Sequence, residues 1–233
     1  MKLIKGISFA ALLFMPVITR ADDSVTKITK LPYTITAPGN YELTRNFTVA
    51  SGKVGITVEA RDANVVINLG GFSITGASVG GTAAGIYSDQ GNTTVYNGTI
   101  SGFGMGVVLG AQGGNAHDLR LLGNSWGIEI LGNDIVVQNC SVIGTGGASF
   151  TYGIVISENV NVQVTGCHIS QYVMGIYSLD PSDSGNTFIG NYVASCTWGL
   201  RMSPWDYYQG NVTSNCGTPF SGGNAIGTEN GGN

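Results

Sequence analysis

The chain has 233 residues, 37 of them glycine, with 10% charged and 42% hydrophobic residues and a formal net charge of −4. That length allows one domain or two small ones, and the absence of a G-X-Y period with only six prolines excludes collagen. High hydrophobicity and low charge exclude a disordered chain, while the abundance of Val, Ile, Thr, Gly and Asn favours an all-β fold with many turns.

Residues 1–21, MKLIKGISFAALLFMPVITRA, carry a positive start at Lys2 and Lys5 and an apolar run from Ile7 to Ile18. Thr19-Arg20-Ala21 puts small residues at the two positions a signal peptidase reads, so this segment is expected to be a secretory signal peptide. The run is too short for a membrane span, which needs ~20 residues. Removing it deletes Lys2, Lys5 and Arg20 and no acid, which takes the net charge from −4 to −7. A negative, lysine-poor surface argues against nucleic acid and against an anionic membrane surface. The expected address is secreted or periplasmic, with no membrane insertion after signal cleavage. Residues 22–50, with Pro32, Pro38 and Tyr41, are expected to form an N-terminal cap.

From residue 51 to 216 the chain repeats. A bulky residue, Gly and an aliphatic recur at Val54-Gly55-Ile56, Ala84-Gly85-Ile86, Met105-Gly106-Val107, Trp126-Gly127-Ile128, Tyr152-Gly153-Ile154, Met174-Gly175-Ile176 and Trp198-Gly199-Leu200. The glycines are 21 to 30 residues apart, and each repeat reads as short strands separated by turn residues, with no helix. A second register runs through Asn97, Asp118, Asn139, Gly166, Asn191 and Asn211 and predicts a ladder of side-chain amides at one turn. Longer gaps fall in Gly144–Ser149 and Asp180–Gly185, which read as loops leaving a constant frame. A period this short without helices predicts a parallel β-helix of about seven coils, each unable to bury its inward side chains without its neighbours. Residues 217–233, GTPFSGGNAIGTENGGN, are expected to form a polar Gly/Asn-rich tail. An uncapped end leaves a homo-oligomer open.

The frame resembles the secreted bacterial right-handed parallel β-helix repeat proteins of the pectin-lyase-like superfamily over roughly residues 31–216. The resemblance rests on Tyr33–Leu43 (YTITAPGNYEL), on Asn64–Ile74 (NVVINLGGFSI) and on the Asn register. It implies a single-stranded, right-handed, all-β solenoid. The superfamily holds lyases, hydrolases, epimerases and non-enzymes, so the resemblance implies no single reaction.

Stacking turns repeats into columns. If Ile56, Ile86, Val107, Ile128, Ile154, Ile176 and Leu200 point inward, period two turns Thr57, Tyr87, Val108, Glu129, Val155, Tyr177 and Arg201 outward. Tyr87 and Tyr177 are then candidate sugar platforms. Glu129 is a candidate general acid with its pKa raised by apolar neighbours, and Arg201 is its candidate partner. The same parity places the residues before each glycine, such as Trp126, Tyr152 and Trp198, in the core or at a corner.

His117 and Asp118 fall on opposite sides of a strand by this parity, and no nucleophile-elbow motif accompanies Ser141 and His168. Cys140 and Cys167 share one column and Cys196 and Cys216 another. Coil spacing of ~4.8 Å lies inside the Cα window of a disulfide, so Cys196–Cys216 is expected to be bonded, and Cys140–Cys167 stays open between a bond and stacked thiols. No cofactor and no metal site are expected. Calcium is the alternative, through oxygen ligands converging from Asp62, Asp89, Asp134, Glu158, Asp180 or Asp183, although the nonapeptide calcium repeat is absent; zinc is not expected, since the cysteines lack C-x-x-C spacing and a nearby His.

The reading that results is a secreted or periplasmic β-helix that binds polysaccharide or a surface partner without catalysis. A polysaccharide lyase, glycosidase or epimerase working at Glu129 and Arg201, or a purely structural assembly module, are the alternatives.

Overall fold

The computed structural model describes residues 24–61, 64–77, 81–146, 150–157, 160–178, 185–227 and 230–232. The expected signal peptide and the turn acids Asp62, Glu158, Asp180 and Asp183 lie outside them. Among the described residues there are strands and turns and no helix.

Two walls of parallel strands face each other. The front wall is a nine-stranded sheet whose strands stack in chain order, from Tyr33–Ile35 through Trp126–Ile130 to Thr218–Ser221. The back wall is seventeen-stranded and takes two short strands from most coils, such as Val136–Gln138 and Ser141–Ile143. In two coils one long strand, Thr93–Ser101 or Asn115–Leu122, runs the full width of the back wall.

The seven glycine-marked coils are there, with one more front strand at each end. Tyr33–Ile35 and Thr218–Ser221 lack the bulky–Gly–aliphatic signature, and Pro219 stands where the others have glycine. Residues 33–49 thus already form a coil in register with Ile56–Gly76. In the tail, Thr218–Ser221 continues the front wall, while Asn224-Ala225 and Gly231-Gly232 pair with the back.

The inward column is as expected. Ile56, Ile86, Val107, Ile128, Ile154, Ile176 and Leu200 are in register and fully buried. They face a back-wall column of Val95, Ala116, Val137, Val164 and Phe188. Burying each large aliphatic contributes roughly 1.5–3 kcal/mol, and the coils share the gain because each covers the next.

The glycines before that column also face inward. A Cβ on Gly127 would lie 2.3 Å from the Val142 side chain and 2.4 Å from the Gly153 carbonyl oxygen. On Gly153 it would lie 2.3 Å from Ile169 and 2.5 Å from the Gly175 oxygen. These positions need glycine for space, not for an unusual φ. Because Gly and the following aliphatic both point in, alternation breaks between them. The residue before the glycine therefore points out. Met105, Trp126, Tyr152, Met174 and Trp198 are half-buried, not core, which corrects the parity argument for these five, while Ala84 in the same column is buried.

Candidate binding face

Two outward columns lie side by side on the front wall. One carries Met105, Trp126, Tyr152, Met174 and Trp198; the other carries Tyr87, Val108, Glu129, Val155, Tyr177 and Arg201. Across four coils their side chains make one strip. The Trp126 and Tyr152 rings meet edge to face at 5.1 Å between centroids, and Tyr152 and Tyr177 are 5.4 Å apart. The Arg201 guanidinium carbon sits 4.9 Å above the Trp198 ring and 5.8 Å from the Tyr177 ring. Trp126 is fixed by its indole N–H, which donates to the Phe150 carbonyl at 3.3 Å. Beside it a cavity of about 300 Å³ opens between Met105, Ser125, Trp126, Phe150 and Thr151, and Phe150 is 78% exposed at its rim.

Of the residues singled out from sequence, Tyr177 and Arg201 belong to this strip. Tyr87 faces the same way but stands between Thr57 and Val108, below the aromatic cluster. Glu129 lies between the buried Val108 and Val155, and its partial burial pushes the carboxyl above its ordinary pKa. Arg201 is three coils from it, roughly 14 Å by strand spacing. A glycosidase pair needs carboxyls about 5–10 Å apart, and neither neighbour of Glu129 in its column is an acid.

On the back wall the Ser141 and His168 alignment holds, and His168 packs against Tyr192, not against an acid. His117 departs from expectation. Its Nδ1 lies 2.9 Å from Asp118 Oδ2, and its ring stacks on Tyr96 at 4.9 Å. Asp118 has a φ of 53°, and that left-handed residue breaks the alternation that would have separated the pair.

The same conformation resolves the amide ladder into two columns. Asn97, Asp118, Asn139, Gly166, Gly190 and Gly210 share the left-handed turn position, which favours Asn, Asp and Gly. Asn191 and Asn211 stand one residue later, in a buried column with Cys140 and Cys167. In that column each side chain reaches back one coil. Asn191 Nδ2 donates to the Val164 carbonyl at 2.9 Å and Asn211 Nδ2 to Phe188 at 2.8 Å. Cys140 Sγ donates to Ala116 at 3.6 Å and Cys167 Sγ to Val137 at 3.9 Å. Every acceptor lies three residues before the corresponding position of the preceding coil. The second corner repeats the device: Asn124 Nδ2 donates to Ile100 at 3.0 Å and Cys216 Sγ to Val193 at 3.5 Å.

All four cysteines are buried with hydrogen-bond work at a corner, and in this structure Cys196 and Cys216 stack as free thiols. Cys140 and Cys167 also share a hydrogen bond, which raises the first thiol and lowers the second, while burial pushes Cys196 up to about 11.

One polar cluster escaped the sequence reading. Asp206 is fully buried and accepts from Ser178 Oγ at 2.8 Å, Ser203 N at 3.0 Å and Asn186 N at 3.2 Å. Burial raises its pKa against the pull of those donors. The signal available was Ser178, with Ser88 one of two hydroxyls in an inward column whose other members include Val58, Leu109, Ile130, Ile156 and Met202.

Comparison with known proteins gives one family. The model described as "Periplasmic copper-binding protein (NosD)" matches residues 33–226. No curated protein matches the chain. Copper(II), which takes a larger set of N, O and S donors, does not fit here, because no three His, Cys, Asp or Glu converge among the described residues. The Tyr172 hydroxyl is buried in the corner column that holds Cys196, without a hydrogen-bond partner. With a match over most of its length and a parallel coil architecture to go with it, the chain belongs to the NosD family of secreted or periplasmic right-handed β-helix proteins.

Proposed function

We propose that this β-helix is a binding module that holds polysaccharide on the front wall and does not cleave it. One observation carries the reading: the half-exposed strip of Trp126, Tyr152, Tyr177, Arg201 and Trp198 across four consecutive coils. Aromatic rings stack on the apolar C–H faces of sugar rings at low entropic cost, because each has few torsions to freeze. Arg201, pre-set against two rings, adds donors for hydroxyl or carboxylate oxygens. The columns run along the axis of the rod, so a chain ligand has several contacts in line. Glu129 has valines, not a second acid, on either side of it in its column, which supports binding over hydrolysis.

The experiment is affinity electrophoresis of the mature protein against neutral and acidic polysaccharides, with product analysis in parallel. Retention by at least one polymer, weakened about tenfold in Trp126→Ala or Trp198→Ala, is expected, each lost platform being worth of order 1–2 kcal/mol. Release of unsaturated or reducing sugar that disappears in Glu129→Gln would replace this reading with an enzymatic one.

A further inference from the structure

Phe150 stands where the repeat expects a buried residue. It comes two positions before its front strand, as Asn124 and Tyr172 do before the strands on either side. Those two are 1% and 3% exposed, whereas Phe150 is the most exposed large apolar residue among those described. The Tyr172 ring already lies at that corner: a Cβ on Gly144 or Gly153 would stand 3.1 or 3.3 Å from it. Phe150 also has a φ of 59°. Among the described residues it is the one apolar side chain at a left-handed, non-glycine position; the others are Asn, Asp, Gln and Ser. Such a backbone is costly for a bulky residue, so packing does not account for a phenyl ring there. The turn does two things. It aims the Phe150 carbonyl at the Trp126 indole N–H, which donates to it at 3.3 Å, and it leaves the ring in solvent at the rim of the cavity of about 300 Å³.

That cavity opens beside the aromatic strip, not along it. Thr82, Gly104, Ser125 and Thr151 in its lining come just before the front strands, and Trp126 belongs to both cavity and strip. A polymer following the strip runs along the rod axis, so a residue that enters the cavity has to leave that line. No charged side chain lines the cavity among the described residues, and Arg201 is three coils from Trp126. An ion seated there would lose its water without a counter-charge. Small-molecule pockets begin at about 300 Å³, which is room for one ring and not for a run of them. Building on the polysaccharide reading above, we propose that Phe150 and Trp126 clasp one uncharged pyranose residue branching sideways from the polymer on the strip. The face thereby selects branched neutral polysaccharide. The two aromatic rings take the C–H faces of the sugar, and the Thr82 and Ser125 hydroxyls in the lining meet its polar groups.

The test is affinity electrophoresis of the native chain against galactomannan and xyloglucan, each before and after enzymatic trimming of its side residues, with polygalacturonate as the acidic polymer. The branched neutral forms should bind about tenfold more tightly than the trimmed ones. Phe150→Gly should erase that preference and still bind trimmed polymer through the strip. Glycine adopts the left-handed turn without strain and keeps the carbonyl for Trp126, so the urea midpoint should not fall. Phe150→Tyr, which restores a ring, should restore the preference. Equal binding of branched and trimmed forms by the native chain, an unchanged preference in Phe150→Gly, or an equal loss of both forms in Phe150→Gly would each overturn the assignment and leave the polysaccharide face standing. Retention by the acidic polymer alone would do the same. Retention by no polymer, neutral or acidic, would overturn both.

Discussion

The front wall and the back-wall corners obey the same stacking rule with opposite demands. At Gly127 or Gly153 the column forbids a side chain, because the next coil's carbonyl and a back-wall methyl already fill the space. At Cys140, Cys167, Asn191 and Asn211 the column requires a side chain that can donate to a backbone carbonyl one coil away. The difference teaches that a repeat constrains volume where walls meet closely and hydrogen bonding where the chain turns. It also explains where the surface is free to vary: outward positions such as Trp126 and Arg201 answer to neither demand and are open to ligand chemistry.

The largest effect separating the two regions should come from Gly127→Val. The new side chain would collide with Val142 and with the Gly153 oxygen, and overpacking in a close-packed wall costs about 3 kcal/mol or more. Urea unfolding should show a lower midpoint with little change in slope. Asn191→Ala should come next. It leaves the Val164 carbonyl and the Cys167 amide without their partners, a loss of about 2–3 kcal/mol by the same measurement. Cys140→Asn, by contrast, should stay within about 1 kcal/mol of the native chain, since Asn does that work two coils on. A Cys140→Asn chain as unstable as Gly127→Val would show that the thiol column is not a hydrogen-bonding one.

A smaller, pH-dependent effect should sit at Asp206. Burial raises its folded pKa above the unfolded value of about 3.9. The folded state therefore holds the proton to higher pH. The stability this contributes is complete below about pH 4 and is lost as pH rises through the folded pKa. Comparing native and Asp206→Asn unfolding free energies from pH 3 to 7 should show the native chain losing ground as pH rises, with the variant flatter over that range.

Much of this was legible in the residues. The Gly-aliphatic motif located seven front strands, the inward Ile/Val column and the outward Glu129–Tyr177–Arg201 column, because a two-residue period is a strong constraint once strands stack. What could not be read was where that period breaks. Two inward residues in succession at each glycine sent Trp126, Tyr152 and Trp198 outward, and left-handed Asp118 brought His117 to its own side of the strand. A column also does not announce its purpose: Cys and Asn at one corner look unrelated until each is seen to reach the equivalent carbonyl of the preceding coil. The Asp206 cluster joins residues 28 positions apart through a turn, beyond the reach of any local pattern.

The polysaccharide face is tested most directly by tryptophan fluorescence. The chain has three tryptophans, of which Trp126 and Trp198 lie in the front strip and Trp205 is exposed elsewhere. In a Trp205→Phe background all indole emission comes from the strip. Saturating polysaccharide should shift that emission to shorter wavelength and protect it from acrylamide. A polymer retained by the protein that leaves both signals unchanged would mean that binding happens somewhere else, and the front wall would lose its assigned role.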